Sequence, residues 1–96
     1  MEQRLHEAFV QELLAVPQVQ AEYDRRETGF ALLHEILAAR QAAGLTQAQV
    51  AGKMGTQQAS IARLETGLAA GKLPSLSMLE RYADAVGRKL QVRFVA

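Results

Sequence analysis

The stretch QAQVAGKMGTQQASIARL, Gln47 to Leu64, decides how this chain folds. Two short helical patterns meet at Gly55, and a small residue, Ala51, stands four positions before that glycine. Val50, Met54, Ile61 and Leu64 place apolar side chains at the spacings by which two helices cross closely. Ala51 permits the close approach, Gly55 accepts the positive φ of a sharp turn, and Ile61 and Leu64 close the core beneath. This is the layout of a helix-turn-helix, whose second helix is shaped for the DNA major groove. Thr46 with Gln49 three residues later forms a capping box for the first helix. Thr56 is placed to cap the second helix, and Gly67 to end it.

Upstream, Leu5, Phe9, Leu13 and Val16 fall at i, i+4, i+8 and i+11, the stripe of an amphipathic helix. Pro17 ends that pattern and favours the first turn of a short helix to about Arg26, with Val19 and Tyr23 on one side. Thr28 is then expected to cap a helix reaching about Ala43, with Phe30, Leu33 and Leu37 inward and Gly44 as its left-handed stop.

Downstream, the loop LAAGKLP (68–74) leads to Ser75, a cap for a further helix that places Leu76, Leu79, Ala83 and Val86 on one side and ends at Gly87. In KLQVRFV (89–95) the period changes to two: Leu90, Val92 and Phe94 alternate with Gln91, Arg93 and Val95. A strand is expected there, and the sequence offers no second strand to pair with it. Its unpaired N–H and C=O groups are best satisfied by the same strand of a second copy, which predicts a symmetric homodimer. An irregular flap is the alternative.

The expected fold class is all-α, a helix-turn-helix bundle with extra N-terminal helices and a C-terminal strand pairing across a dimer. It divides into an acidic helical segment (1–27), a DNA-binding domain (28–88) and a dimerisation strand (89–96). At 96 residues the chain buries only about two-thirds of the surface its unfolded form exposes, so dimerisation would help it. Net charge is +1, yet it is unevenly spread. Residues 1–36 hold seven acids against Arg4, Arg25 and Arg26, and residues 37–96 hold eight bases against Glu65, Glu80 and Asp84. The asymmetry suggests two partners of opposite charge, nucleic acid for the basic part and something basic for the acidic part. The chain has no cysteine, no apolar run near the ~20 residues of a membrane span and no signal-peptide pattern, so a cytoplasmic location is expected.

The run LAARQAAGLTQAQVAGKMGTQQASIARLETG (37–67), followed by PSLSMLERYADAVG (74–87), resembles the Cro/repressor-type (XRE) helix-turn-helix family. With an EY-containing acidic N-terminus and a KLQVRF tail, the whole looks like HigA-type antitoxins of type II toxin–antitoxin modules. The resemblance implies a lambda-repressor-like core of five helices. It implies that Gln57, Gln58, Ala59 and Arg63 face base edges, and that Thr46, Gln47, Thr56 and Ser60 contact phosphate. Arg40 and Glu65 would form a partly buried ion pair that aims the arginine near the phosphates. Two departures stand out: Thr66 replaces the usual asparagine, and the loop after Gly67 is longer, bringing Lys72 to a phosphate or simply adding slack.

The function so implied is a sequence-specific DNA-binding antitoxin that neutralises a small basic toxin of the RelE/HigB type and represses its own operon on a palindromic operator. Leu5, Phe9, Leu13 and Tyr23 would be the apolar anchors on the toxin, with Glu12 among the charged rim. The alternative is a plain repressor of the same family with no toxin partner. No enzyme is expected. Ser60 and Ser75 lack a base and orienting acid, Gly52 and Gly55 are too few for a phosphate-cradling loop, and His6 and His34 are too few for a metal site. No cofactor is expected, and Met54 and Met78 read as core filler.

Overall fold

Four helices account for residues 17–85 of the computed structural model, which describes Ala8, Glu12 and residues 16–96. They are α1 (Pro17–Ala42), α2 (Gln47–Met54), α3 (Gln58–Ala69) and α4 (Leu76–Ala85). The helix expected on Leu5, Phe9, Leu13 and Val16 lies, apart from Val16, outside the described residues.

The largest departure from expectation is α1. In place of two helices broken before Thr28, the chain runs as one helix of 26 residues, about 39 Å long. Pro17 sits in its first turn, where the missing N–H costs nothing. Thr28 is interior and caps nothing. Gly29 disfavours helix by roughly 1 kcal/mol against alanine, and the packing explains its presence. A Cβ there would lie 2.0 Å from the carbonyl oxygen of Leu68, so α1 crosses the end of α3 at a point only glycine fits. Inward from that crossing, Leu32, Leu33, Ile36 and Ala39 pack on the core. Phe30, expected inward, is 56% exposed because its side chain leaves the opposite flank. Leu37 is half-buried.

The capping box at α2 forms as expected: Thr46 Oγ1 accepts from the Gln49 N–H, and the Thr46 N–H donates to Gln49 Oε1. Gly55 adopts φ 68°, ψ 33°, and the Thr56 N–H donates back to the Ala51 carbonyl at 2.9 Å. With its backbone so engaged, Thr56 does not cap α3; Gln57 occupies that position and makes no side-chain cap. Nor does α3 stop at Gly67. It runs on to Ala69, and the left-handed residue that closes it is Gly71, with Gly71 N–H bonded to Leu68 O and Lys72 N–H to Gly67 O.

Ser75 caps α4 through the Met78 N–H at 3.1 Å. Leu79, Tyr82 and Val86 face inward, whereas Leu76, expected inward, is largely exposed in the first turn. The core comprises Ile36, Val50, Ala51, Met54, Ile61, Leu68, Leu79, Tyr82 and Val86, so three of its nine members come from α2. Arg81 of α4 donates from Nη2 to the Met54 carbonyl, tying α4 to the turn of the motif.

Among the described residues no strand forms. Among the described residues the 89–96 tail has no strand to pair with, and a strand gains its hydrogen bonds only from a neighbour. Leu90 folds back onto the core instead of alternating with Val92 and Phe94, which are exposed, Phe94 entirely.

Candidate nucleic-acid interface

Helix α3 presents two unlike faces. Ile61, Glu65 and Leu68 point inward, at the i, i+4 and i+7 spacing of one stripe. Ala59 and Arg63, four apart on the other side, are exposed, as are Gln57 and Gln58 at the N-terminal end. An exposed face of glutamine, alanine and arginine carries the donors, acceptors and methyl group that read base edges: glutamine pairs with adenine, arginine with guanine, alanine with the thymine methyl. The Gln49 N–H is taken up by the Thr46 hydroxyl and the Ser60 N–H by the Gln57 carbonyl, which leaves the leading N–H groups of α2 and α3, at Gln47, Ala48, Gln58 and Ala59, to suit an anion.

The residues expected on phosphate divide. Thr46 is exposed, and its hydroxyl, having accepted from Gln49, keeps its proton to donate. Thr56 and Ser60 are half-buried at the start of α3. Gln47 is turned inward: its Nε2 donates to Glu65 Oε2 at 3.2 Å. A direct phosphate contact by this side chain would require breaking that bond.

Glu65 sits at the centre of a short network. Its Oε1 accepts from Arg40 Nη2 at 3.0 Å, while Arg40 Nη1 reaches the Leu45 carbonyl at 3.3 Å. The side chains are 17% and 9% exposed. Burial alone would lower the Arg40 pKa, but the hydrogen bond and charge of Glu65 outweigh it, and the net displacement is upward. The guanidinium therefore stays charged. The Tyr82 hydroxyl is buried close by without a hydrogen-bond partner among the described residues, and burial, then the Glu65 carboxylate, push its pKa up. This network joins the C-terminal part of α1, the start of α2 and the middle of α3, fixing the angle at which α3 projects.

Lys72 is exposed, but its loop is not slack. Its N–H is bonded to Gly67 O at 2.8 Å, and its Cβ and Cδ lie 3.5 and 3.9 Å from where a Gly67 Cβ would stand. The side chain is thereby laid along α3, one turn beyond Arg63. Sequence reasoning misses Gln47's inward role, Arg81 and Tyr82. Tyr82 is legible at i+3 from Leu79 and i−4 from Val86; Arg81's bond to a main-chain carbonyl leaves no trace in spacing.

Against this geometry, the family described as helix-turn-helix domain matches residues 31–93, about two-thirds of the chain. The chain belongs to this family. The match covers α2, α3 and α4 and begins within α1, two residues after Gly29. A helix-turn-helix domain is a DNA-binding module, and α3 is the second helix of the motif. No curated protein and no solved structure matches. Among the described residues no helix is long and apolar enough to cross a membrane, and no group of histidine, aspartate or glutamate side chains is arranged to hold a metal ion.

Proposed function

We propose that this helix-turn-helix protein is an XRE-type antitoxin: it represses its own operon as a homodimer and neutralises a small basic toxin of the RelE/HigB type. The exposed face of α3, held in place by the Glu65 network, carries the DNA half of the reading. Two such helices related by a two-fold axis would sit about 34 Å apart and read a palindromic operator through Gln57, Gln58, Ala59 and Arg63.

The partner half rests on the outer face of α1. Val16, Tyr23 and Phe30, seven residues apart, are 43%, 51% and 56% exposed, an apolar line that the core does not use. Glu22, Asp24 and Glu27 accompany it. A seven-residue repeat is the spacing at which one helix receives another, and the acids favour a basic partner, which they would also attract quickly. Leu5, Phe9, Glu12 and Leu13 would extend this surface. The dimer half rests on Val92, Phe94 and Val95, apolar side chains left exposed among the described residues.

Co-expression with the adjacent gene, with the tag on this chain alone, tests the partner. A small basic protein retained through a high-salt wash supports the antitoxin reading. A bare homodimer that still shifts its own promoter DNA leaves the plain repressor. Gln58→Ala with Arg63→Ala should abolish the shift while leaving the companion bound.

A further inference from the structure

The basic ridge of α3 does not end with the helix. Arg63 is followed one turn later by Gly67, and the Lys72 stem lies beside it, its Cβ 3.5 Å from where a Gly67 Cβ would stand. Gly71, next in the chain to Lys72, touches α1: a Cβ on it would be 3.1 Å from Arg26 Cγ and 3.4 Å from the Arg26 backbone nitrogen. The stem of Arg26 therefore rests on the loop that carries Lys72, and Arg63, Lys72 and Arg26 follow one another from the recognition helix outward. Arg26 and Lys72 are both exposed. Glu22 stands one turn before Arg26, at the spacing for an intrahelical pair, yet among the described residues the sole ion pair is that of Arg40 with Glu65.

We infer that Arg26 and Lys72 together form a second phosphate-binding site, which grips the DNA backbone outside the bases read by α3. The ligand is the phosphodiester backbone of duplex DNA flanking each half-site. The inference rests on α3 being the DNA-reading helix, and it moves Arg26 out of the acidic segment, where charge alone would assign it to a protein partner. Charge complementarity supports it: two cations outside any ion pair among the described residues are carried by adjoining segments beside α3, the Arg26 stem against Gly71 and Lys72 next in the chain, where the acidic surface of α1 begins. Their backbone supports are fixed, Lys72 by its N–H bond to Gly67 and Arg26 by helix α1, so little ordering is needed on binding.

Counterion release gives a direct test. Two duplexes carrying the chain's own promoter repeat are compared, one ending at the repeat and one longer by about half a helical turn, ~5 bp, on each side. The wild type should bind the longer duplex more tightly. In R26Q/K72Q that gain should disappear, and the slope of log K against log salt should fall by about 1.8 per protomer, about 0.9 for each phosphate no longer neutralised. R26K/K72R should retain both gain and slope, since a phosphate responds to charge before shape. Both side chains are exposed, so an unchanged unfolding midpoint verifies that the variants fold. Equal slopes for wild type and R26Q/K72Q on the longer duplex would overturn the inference while leaving α3 as reader. Failure of the wild type to bind either duplex would instead overturn the reading of α3 on this promoter.

Discussion

The two ends of α1 obey different physics within one uninterrupted helix. From Gly29 to Ala42 the helix is held by the core through Leu32, Leu33, Ile36 and Ala39, and by the Arg40–Glu65 pair. From Pro17 to Thr28 every residue but Val19 is exposed, and no side chain is buried. An isolated helix of about a dozen residues is marginal in water. The outer end is therefore helical because it grows from a packed end, and it keeps apolar side chains that take no part in the core of the described residues. Packing on the core accounts for the inner end, and the proposed partner would account for the outer one.

Removing the inner anchor should have the largest effect. Glu65→Ala leaves the Arg40 guanidinium desolvated and deprives Gln47 of its acceptor, and it should cost about 3 kcal/mol in urea unfolding. Replacing both Arg40 and Glu65 by methionine should cost less than Glu65→Ala alone, because no charge is then stranded. If the double variant is the weaker, the pair is not what holds α1 to α3.

The boundary comes next. Gly29→Ala improves intrinsic helix propensity, yet its methyl would collide with a main-chain carbonyl and should destabilise by about 1–3 kcal/mol. Gly52, also helical but with nothing within 4 Å of a Cβ, is the control. Gly52→Ala should stabilise by about 0.5–1 kcal/mol. Opposite signs for the same substitution would locate the crossing thermodynamically.

That boundary also marks where the sequence stops being legible. The capping box, the turn at Gly55 and the inward trio Val50, Ala51 and Met54 can be read because each depends on residues within one turn of the chain. The break at Thr28 misleads for the same reason. Local capping preference favours a stop, but the helix continues, and Gly29 serves a contact with Leu68, 39 positions away. The end of α3 is ambiguous because Gly67 and Gly71 both qualify locally; the one that takes a positive φ is Gly71, while Gly67 stays helical beside Lys72. The tail reads as a strand from its alternation alone, although a strand is a property of two segments. On α3 the exposure of Gln58, Ala59 and Arg63 follows from helical period, whereas Gln47's engagement with Glu65 emerges only in three dimensions.

Smaller effects sharpen the contrast. Tyr82 lies beneath the inner anchor with its pKa raised by burial, so the folded state holds the phenol proton more tightly than the unfolded chain does. Its contribution is complete below the unfolded tyrosine value of about 10 and is lost as pH rises through the higher folded value. Stability measured by urea titration should therefore fall more steeply above about pH 10 in wild type than in Tyr82→Phe. At the outer end, Tyr23→Ala and Phe30→Ala should each change stability by no more than about 0.5 kcal/mol. If the outer face binds a partner, each should still weaken companion retention about tenfold or more. Loss of stability without loss of retention would return those side chains to the fold.

The crossing at Gly29 makes α1 a lever. Its fulcrum is the end of the recognition helix, its short arm is clamped by the Arg40–Glu65 pair, and its free arm reaches about 18 Å to Pro17. No hinge lies along that arm, because Thr28 and Gly29 are helical. A load applied near Pro17 is therefore delivered as torque at Leu68 and Gly71, against the end of the helix proposed to read DNA.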